Sequence, residues 1–162
     1  MHLEGSCHCG AVRFSVESPW PYPYLHCYCS ICRKTAGAGG YAANIGALND
    51  TLRIRGRQHI GIYHAVMREP GKRARRSPME RHFCTKCGSA LWIRTPDEPE
   101  RVYPHASAID TPLPRPPEIV EAELDSAASW VEVPSGKGHV HCAQWPEETL
   151  AQWHRRHGLE QR

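Results

Sequence analysis

The sequence has no long apolar run and no strong excess of charge of either sign. None of its segments approaches the ~20 apolar residues that cross a bilayer, and residues 1–10 lack the apolar centre of a signal peptide. Lys and Arg total 20 against 17 Asp and Glu, a formal net charge of +3. Because so small a charge creates no strong field, we expect neither a membrane nor nucleic acid as a partner. We predict a cytoplasmic protein, and the sequence indicates no particular oligomeric state.

Apolar residues are few, at 40%, whereas glycine and proline are frequent, with 13 and 14 residues. Both interrupt helices, which favours a loop-rich β architecture. A chain of 162 residues is long enough for one domain with a core and too short to expect two. We therefore predict a mainly β, single-domain protein over residues 1–162, in which bound metal supplements a modest core.

Alternating apolar residues predict several short strands. Between residues 11 and 17, Val12, Phe14 and Val16 share one face, opposite polar residues. Similar patterns predict strands within residues 52–57, 60–66, 89–95 and 101–105, and a weaker one over 130–133. Residues 68–81 are polar and basic, which predicts a loop.

The only helix with a clear signal is the last element, Glu147–His157. Pro146 suits the first turn, acidic residues begin the helix, and basic residues precede a terminating Gly158. Leu150 and Trp153, three residues apart, would form its buried face.

Seven of the eight cysteines fall into three short clusters: Cys7 and Cys9; Cys27, Cys29 and Cys32; and Cys84 and Cys87. In a reducing compartment such spacings favour metal over disulfides, and close sulfurs let one turn supply two zinc ligands. Gly10 and Gly88 follow the first and last clusters. Glycine permits a left-handed turn there, which brings backbone N–H groups toward the thiolates.

Seven sulfurs are one short of two complete four-cysteine sites. We expect the two pairs to meet at one closed, structural zinc site formed by Cys7, Cys9, Cys84 and Cys87. We expect Cys27, Cys29 and Cys32, the cysteine trio, to hold a second, catalytic zinc, because catalytic sites keep one position for substrate or water. This arithmetic predicts two zinc ions per chain.

Four alternatives stay open at this stage. The cysteines can form disulfides, an iron–sulfur cluster, or a single zinc site with spare sulfurs. A fourth protein ligand can also close the second zinc, and the candidates are Cys142, His26, His82, His139 and His141. For Cys142 a buried free thiol is better supported, because it belongs to no motif with ligand spacing.

These clusters resemble those of the GFA family, the glutathione-dependent formaldehyde-activating enzymes, whose superfamily includes centromere protein V. The matching segments read GSCHCGAVRF from Gly5, CYCSICRK from Cys27 and FCTKCGSAL from Phe83. The motif core thus spans about residues 5–91, and a C-terminal extension with the helix covers about 130–158.

The resemblance implies a β-tent-like fold of short antiparallel sheets, with structural zinc at the four-cysteine set and catalytic zinc at the trio. It also implies carbon–sulfur lyase-type chemistry on a glutathione-like thiol and a small aldehyde such as formaldehyde, which combine as S-(hydroxymethyl)glutathione. Tyr28 departs from the family pattern, since many members carry histidine between the first two trio cysteines. The substrate can therefore differ.

We hypothesise that a substrate thiol takes the open position on the second zinc and attacks an aldehyde carbon. The candidate proton donors are His26, Tyr28 and His82, and the candidate ligands for substrate carboxylates are Arg33, Lys34 and Arg76. The competing hypothesis is a non-catalytic, zinc-stabilised module that binds protein or nucleic acid through the basic loop.

Overall fold

The computed structural model describes residues 1–68 and 71–159, and short β-strands dominate it. The fourteen strands are β1 (His2–Ser6), β2 (Arg13–Glu17), β3 (Tyr24–Cys27), β4 (Ala42–Asn44), β5 (Ala47–Leu48), β6 (Arg53–Arg55), β7 (Ile60–Tyr63), β8 (Val66–Met67), β9 (Arg75–Arg76), β10 (Glu80–Cys84), β11 (Ala90–Arg94), β12 (Arg101–Pro104), β13 (Ile119–Ala122) and β14 (His139–His141). The two α-helices are α1 (Ser30–Ala36) and α2 (Leu150–Arg156). The predicted mainly β class is confirmed.

The strands form four small sheets, in the orders β1-β2-β6, β5-β12-β11-β10-β7, β14-β13-β3-β4 and β8-β9. Three of them are antiparallel, as expected. In the third, however, β13 runs parallel to both β3 and β14. Parallel neighbours need a long connection, and most of the chain lies between β3 and β13. This pairing brings the C-terminal third of the chain beside the strand that ends at Cys27.

The larger core cluster is built by the predicted alternation on β2. Val12, Phe14 and Val16 are all buried, and the Phe14 ring meets Trp92 of β11 edge-on, with centroids 5.0 Å apart. On β11 both faces are covered, because Ile93 packs with Cys27 and Cys32 in a second, smaller cluster. The central strand β11 therefore separates the main core from the cysteine trio.

The C-terminal helix is confirmed but begins later than predicted, at Leu150 and not at Glu147. Its first turn is set by Thr149, whose side chain accepts a hydrogen bond from the Gln152 N–H at 3.2 Å, while the Gln152 side chain accepts the Thr149 N–H at 2.8 Å. This reciprocal capping fixes the start. Trp153 is buried as expected.

Two other predictions differ from the structure. No strand runs over residues 130–133, where Trp130 is exposed in a turn; the strands of this region are β13 and β14. The short helix α1 is absent from the sequence-based assignment. The basic segment 68–81 contains the two-residue strand β9 and the start of β10, and its residues 69 and 70 lie outside the described residues.

The remaining strand predictions are confirmed by β6 and β7, β11 and β12. Over the described residues, neither helix has the length and apolar character that crossing a membrane requires. The single-domain organisation and the cytoplasmic location stay predictions.

Candidate metal centres and active site

The four-cysteine set joins two hairpins that are far apart in sequence. Cys7 and Cys9 lie in the turn between β1 and β2, Cys84 ends β10, and Cys87 lies in the turn before β11. Their four sulfurs lie within 4.8 Å of one another, with 3.6 Å from Cys7 to Cys9 and 3.8 Å from Cys9 to Cys84. A tetrahedron with zinc–sulfur bonds of ~2.3 Å has sulfur–sulfur edges of about 3.8 Å. The donor set therefore fits zinc.

Disulfides do not fit these positions. All eight cysteines are free thiols, and the sulfur separations far exceed the ~2.0 Å of a disulfide bond. The disulfide alternative therefore fails.

Backbone and hydroxyl groups around the four-cysteine set stabilise thiolates. Gly10 and Gly88 have φ of +72° and +75°, so both predicted left-handed turns are present. The Val12 N–H donates to the Cys7 sulfur at 3.2 Å. The Ser89 hydroxyl lies 3.2 Å from the Cys87 sulfur, and its hydrogen bond lowers the pKa of Cys87 to about 5. Hydrogen bonds to a thiolate favour its charged, metal-binding form.

The cysteine trio lies where β3 passes into α1. Cys27 ends β3, Cys29 caps α1 and Cys32 lies in its first turn, with the Cys32 N–H donating to the Cys29 sulfur at 3.4 Å. The three sulfurs lie within 4.8 Å of one another. Hydrogen bonds from Cys27 and Cys32 lower the pKa of Cys29 to about 2, whereas hydrogen bonds with Cys29 and Cys32 raise the pKa of Cys27. One thiolate thus forms readily, and a metal would displace the remaining protons.

The trio has no fourth protein ligand within the same distance among the described residues. Of the five candidates, His26 and His139 direct Nδ1 to Glu121, and His141 directs Nε2 to the Pro134 carbonyl at 2.7 Å. The His82 ring stacks on Trp92, with its Nε2 3.6 Å from a carboxylate oxygen of Glu80. Cys142 is a free thiol, as expected, but it is half-buried and not buried. A tetrahedral metal ion held by the three sulfurs would therefore keep one position without a protein ligand among the described residues.

A buried glutamate of β13 forms hydrogen bonds to the residues on either side of a trio cysteine. Glu121 is fully buried and accepts hydrogen bonds from His26 at 3.1 Å, Tyr28 at 2.9 Å and His139 at 2.8 Å. Burial alone would raise the pKa of Glu121, but the hydrogen bonds from His26, His139 and Tyr28 outweigh it and hold that pKa below its ordinary value. Because His26 and Tyr28 flank Cys27, this carboxylate fixes the chain on both sides of a trio sulfur.

Comparison with known proteins agrees with this geometry. The family model described as "Glutathione-dependent formaldehyde-activating enzyme", GFA, matches residues 2–123, which include all seven clustered cysteines. The chain belongs to the GFA family. A Halomonas elongata protein, provisionally named a glutathione-dependent formaldehyde-activating enzyme, is 54% identical over 161 residues, covering 99% of each chain. The crystal structure of a Rhodobacter sphaeroides protein is 27% identical, with a TM-score of 0.53, over 69% of this chain and 92% of that one.

Membership of the GFA family confirms the predicted family and, with it, an enzyme of the family's type. The geometry also locates the residues predicted to handle protons. His26 and Tyr28 are buried and bound to Glu121. His82 stacks on Trp92 with centroids 5.2 Å apart, and burial lowers its pKa. Their role as proton donors stays a prediction.

Two of the three predicted carboxylate ligands lie together. Arg33 and Lys34 of α1 line an open cleft of about 730 Å³, which is bounded on its other side by Cys7 and Ser89. Arg76 is exposed on β9 and lines neither this cleft nor the cavity beside it. No trio sulfur lines the cleft; the link is α1, which carries both Cys32 and the two basic residues.

Sequence patterns gave no sign of Glu121. It lies in the stretch 119–133, whose alternation is weak, and two of its three partners, His26 and Tyr28, are 95 and 93 residues away in the chain. Only the parallel register, which pairs Glu121 with His26, brings them together.

Proposed function

We propose that this chain is a zinc-dependent enzyme of the carbon–sulfur lyase type, which joins a glutathione-like thiol to a small aldehyde such as formaldehyde. The observation that carries the proposal is a trio of sulfurs without a fourth protein ligand among the described residues, in a member of the GFA family. Zinc and three thiolates together carry a formal charge of about −1, and zinc held in this way would keep a substrate thiol deprotonated and electron-rich at the fourth position.

The chain's own residues would bind and orient the thiol. A cleft of about 730 Å³ suits a tripeptide. Arg33 follows Cys32 directly, and its Nε is buried without a hydrogen-bond partner among the described residues. Arg33 and Lys34 would therefore pair with substrate carboxylates.

The reaction needs one proton to leave and one to arrive. The sulfur–carbon bond forms as the carbonyl π electrons move to oxygen, the thiol proton is released, and the resulting alkoxide takes up a proton. Glu121 would keep Cys27 in place through His26 and Tyr28, a role that requires neither side chain to touch the substrate.

The test must detect a rate above that of the uncatalysed reaction, because formaldehyde adds to thiols without a catalyst. Exchange NMR of glutathione with formaldehyde should show faster interconversion when zinc-loaded protein is added, and no acceleration with Cys29→Ser. Equal rates with and without the wild-type protein would reject the proposal.

Cobalt-substituted protein supplies a second readout. Glutathione should perturb the thiolate-to-cobalt charge-transfer band if it reaches the trio. No change with any small thiol would favour the non-catalytic binding module instead.

A further inference from the structure

A second, smaller cavity adjoins the proposed substrate cleft. Its volume is about 340 Å³, and its lining includes Thr35 of α1, Tyr63 of β7, Arg81 of β10 and His105, which follows β12. Thr35 and Ala90 line both the cavity and the cleft. A ligand in the cleft can therefore extend into the cavity.

The cavity contains a buried cation whose donors are unused. Arg81 is only 7% exposed, yet its Nε and Nη1 are buried and have no hydrogen-bond partner among the described residues. No described carboxylate forms an ion pair with it either. A buried guanidinium without hydrogen bonds is unfavourable, so Arg81 lacks the acceptor for which its donors are suited.

A second unused donor group lies beside Arg81. His105 is 3% exposed, and its Nδ1 is buried without a partner among the described residues. Burial and the nearby Arg81 charge lower the pKa of His105 to about 4, so its ring is neutral at pH 7. A neutral imidazole still offers one N–H to an anion.

Neither His82 nor the charge of the cysteine trio supplies the missing acceptor. His82 follows Arg81 on β10 and lines the same cavity, but its ring stacks on Trp92 and does not pair with Nε or Nη1 of Arg81. Arg81 lies close enough to the cysteine trio that its positive charge acts to lower the pKa of Cys32. The negative charge of the trio offsets the guanidinium charge, but it leaves the N–H groups without acceptors.

We propose that Arg81 and His105 form a carboxylate-binding site, and that it holds a carboxylate of the thiol substrate. This inference rests on the proposed function. Arginine recognises carboxylates through its planar array of donors.

The position of the cavity suits a substrate that reaches the trio. Thr35 lies three residues after Cys32 on α1, so the two side chains are neighbours on one helix face. Arg81 pairs across the sheet with Ile93, which packs against Cys27 and Cys32. One molecule could therefore place its carboxylate at Arg81 and its sulfur at the trio.

The experiment compares glutathione with its dimethyl ester, which keeps the thiol and lacks both carboxylates. Binding to zinc-loaded protein is measured by calorimetry for the wild type, for Arg81→Met, and for Arg55→Met as an exposed control on β6. Wild type and Arg55→Met should bind glutathione at least ~10-fold more tightly than the ester. In Arg81→Met this preference should shrink at least ~10-fold.

A titration with sodium formate isolates the site from turnover. In ¹⁵N-histidine-labelled wild-type protein, formate should shift the His105 ring signals and compete with glutathione. If formate shifts them while glutathione and ester bind equally, the site takes free anions and the substrate assignment is wrong. No shift and no ester discrimination in the wild type would overturn the site altogether, and that result does not depend on whether Arg81→Met folds.

The two proposals fail separately. Ester discrimination that depends on Arg81, without faster exchange of formaldehyde, would reject the proposed function and retain the carboxylate site. Accelerated exchange of formaldehyde, together with equal binding of glutathione and its ester, would reject the carboxylate site and retain the proposed function.

Discussion

Replacement of Glu121 by glutamine tests whether this buried carboxylate positions the trio. The carboxylate accepts three hydrogen bonds through two oxygens, two of them at Oε2. Glutamine keeps the shape but loses the charge, and its amide N–H₂ would face one of the three donors. Loss of one charge-assisted bond and weakening of the other two correspond to about 2–4 kcal/mol of unfolding free energy. We expect chemical denaturation at pH 7 to show a loss of that size.

The same substitution should act unequally on the two metal sites. Outer-shell partners commonly change metal affinity by about 10-fold or more, and Glu121 contacts the neighbours of Cys27 but no residue of the four-cysteine set. Zinc release to a chromophoric chelator should therefore accelerate for one ion per chain and not for the other. The exposed Glu132→Gln is the control. Unchanged release of both ions from a folded Glu121→Gln protein would refute the argument.

The acid side of the stability profile gives an independent check. The pKa of Glu121 is lowered in the folded state, so its stabilisation is present above the unfolded-state pKa and is lost as pH falls through the folded-state pKa. The difference in unfolding free energy between wild type and Glu121→Gln should therefore narrow below about pH 4.5. A difference that stays constant from pH 7 to strongly acidic solution would contradict this.

Three further predictions concern the metals and the local fold. Cys84→Ser should abolish soluble expression, whereas Cys29→Ser should leave a folded protein with one zinc per chain by elemental analysis, because structural zinc contributes folding energy directly; loss of both metals from both variants would refute the partition. Gly56→Ala should destabilise the protein by about 2 kcal/mol or more in denaturant titrations, because its Cβ would lie 1.9 Å from the Ala11 carbonyl oxygen. Gly71→Ala is the control: it has a similar φ and no clash, and it should lower stability by about 1 kcal/mol. Equal losses of stability would mean that the close approach at Gly56 does not matter. Thr149→Ala should lower stability by about 1 kcal/mol through the lost helix cap, and Thr149→Ser should restore most of it, as thermal unfolding would show.

The sequence predicted the features that depend on residues close together in the chain. Each cysteine cluster was evident because it offers its sulfurs from one turn, and β2 was evident from its alternation. The structure brings the sulfurs of both expected sets together. The helix α1 was not predicted because Cys29, an unusual capping residue, gave no start signal, whereas α2, which also has seven residues, had clear signals at both ends. Glu121 and the orphan donors of Arg81 and His105 depend on strand registers between distant segments, which no local pattern encodes.

The two sulfur sets also differ in when a growing chain can complete them. The trio lies within residues 27–32 and exists on a single short turn as soon as that segment has been synthesised. The four-cysteine set can form only after Cys87 has been synthesised and the β1–β2 and β10–β11 hairpins have packed together. Phe14 and Trp92 form part of that packing contact. Because closing a long loop has a larger entropic cost than closing a short one, a metal ion that arrives before folding meets the trio first. Order of synthesis would thus favour metal binding at the trio before metal binding at the four-cysteine set.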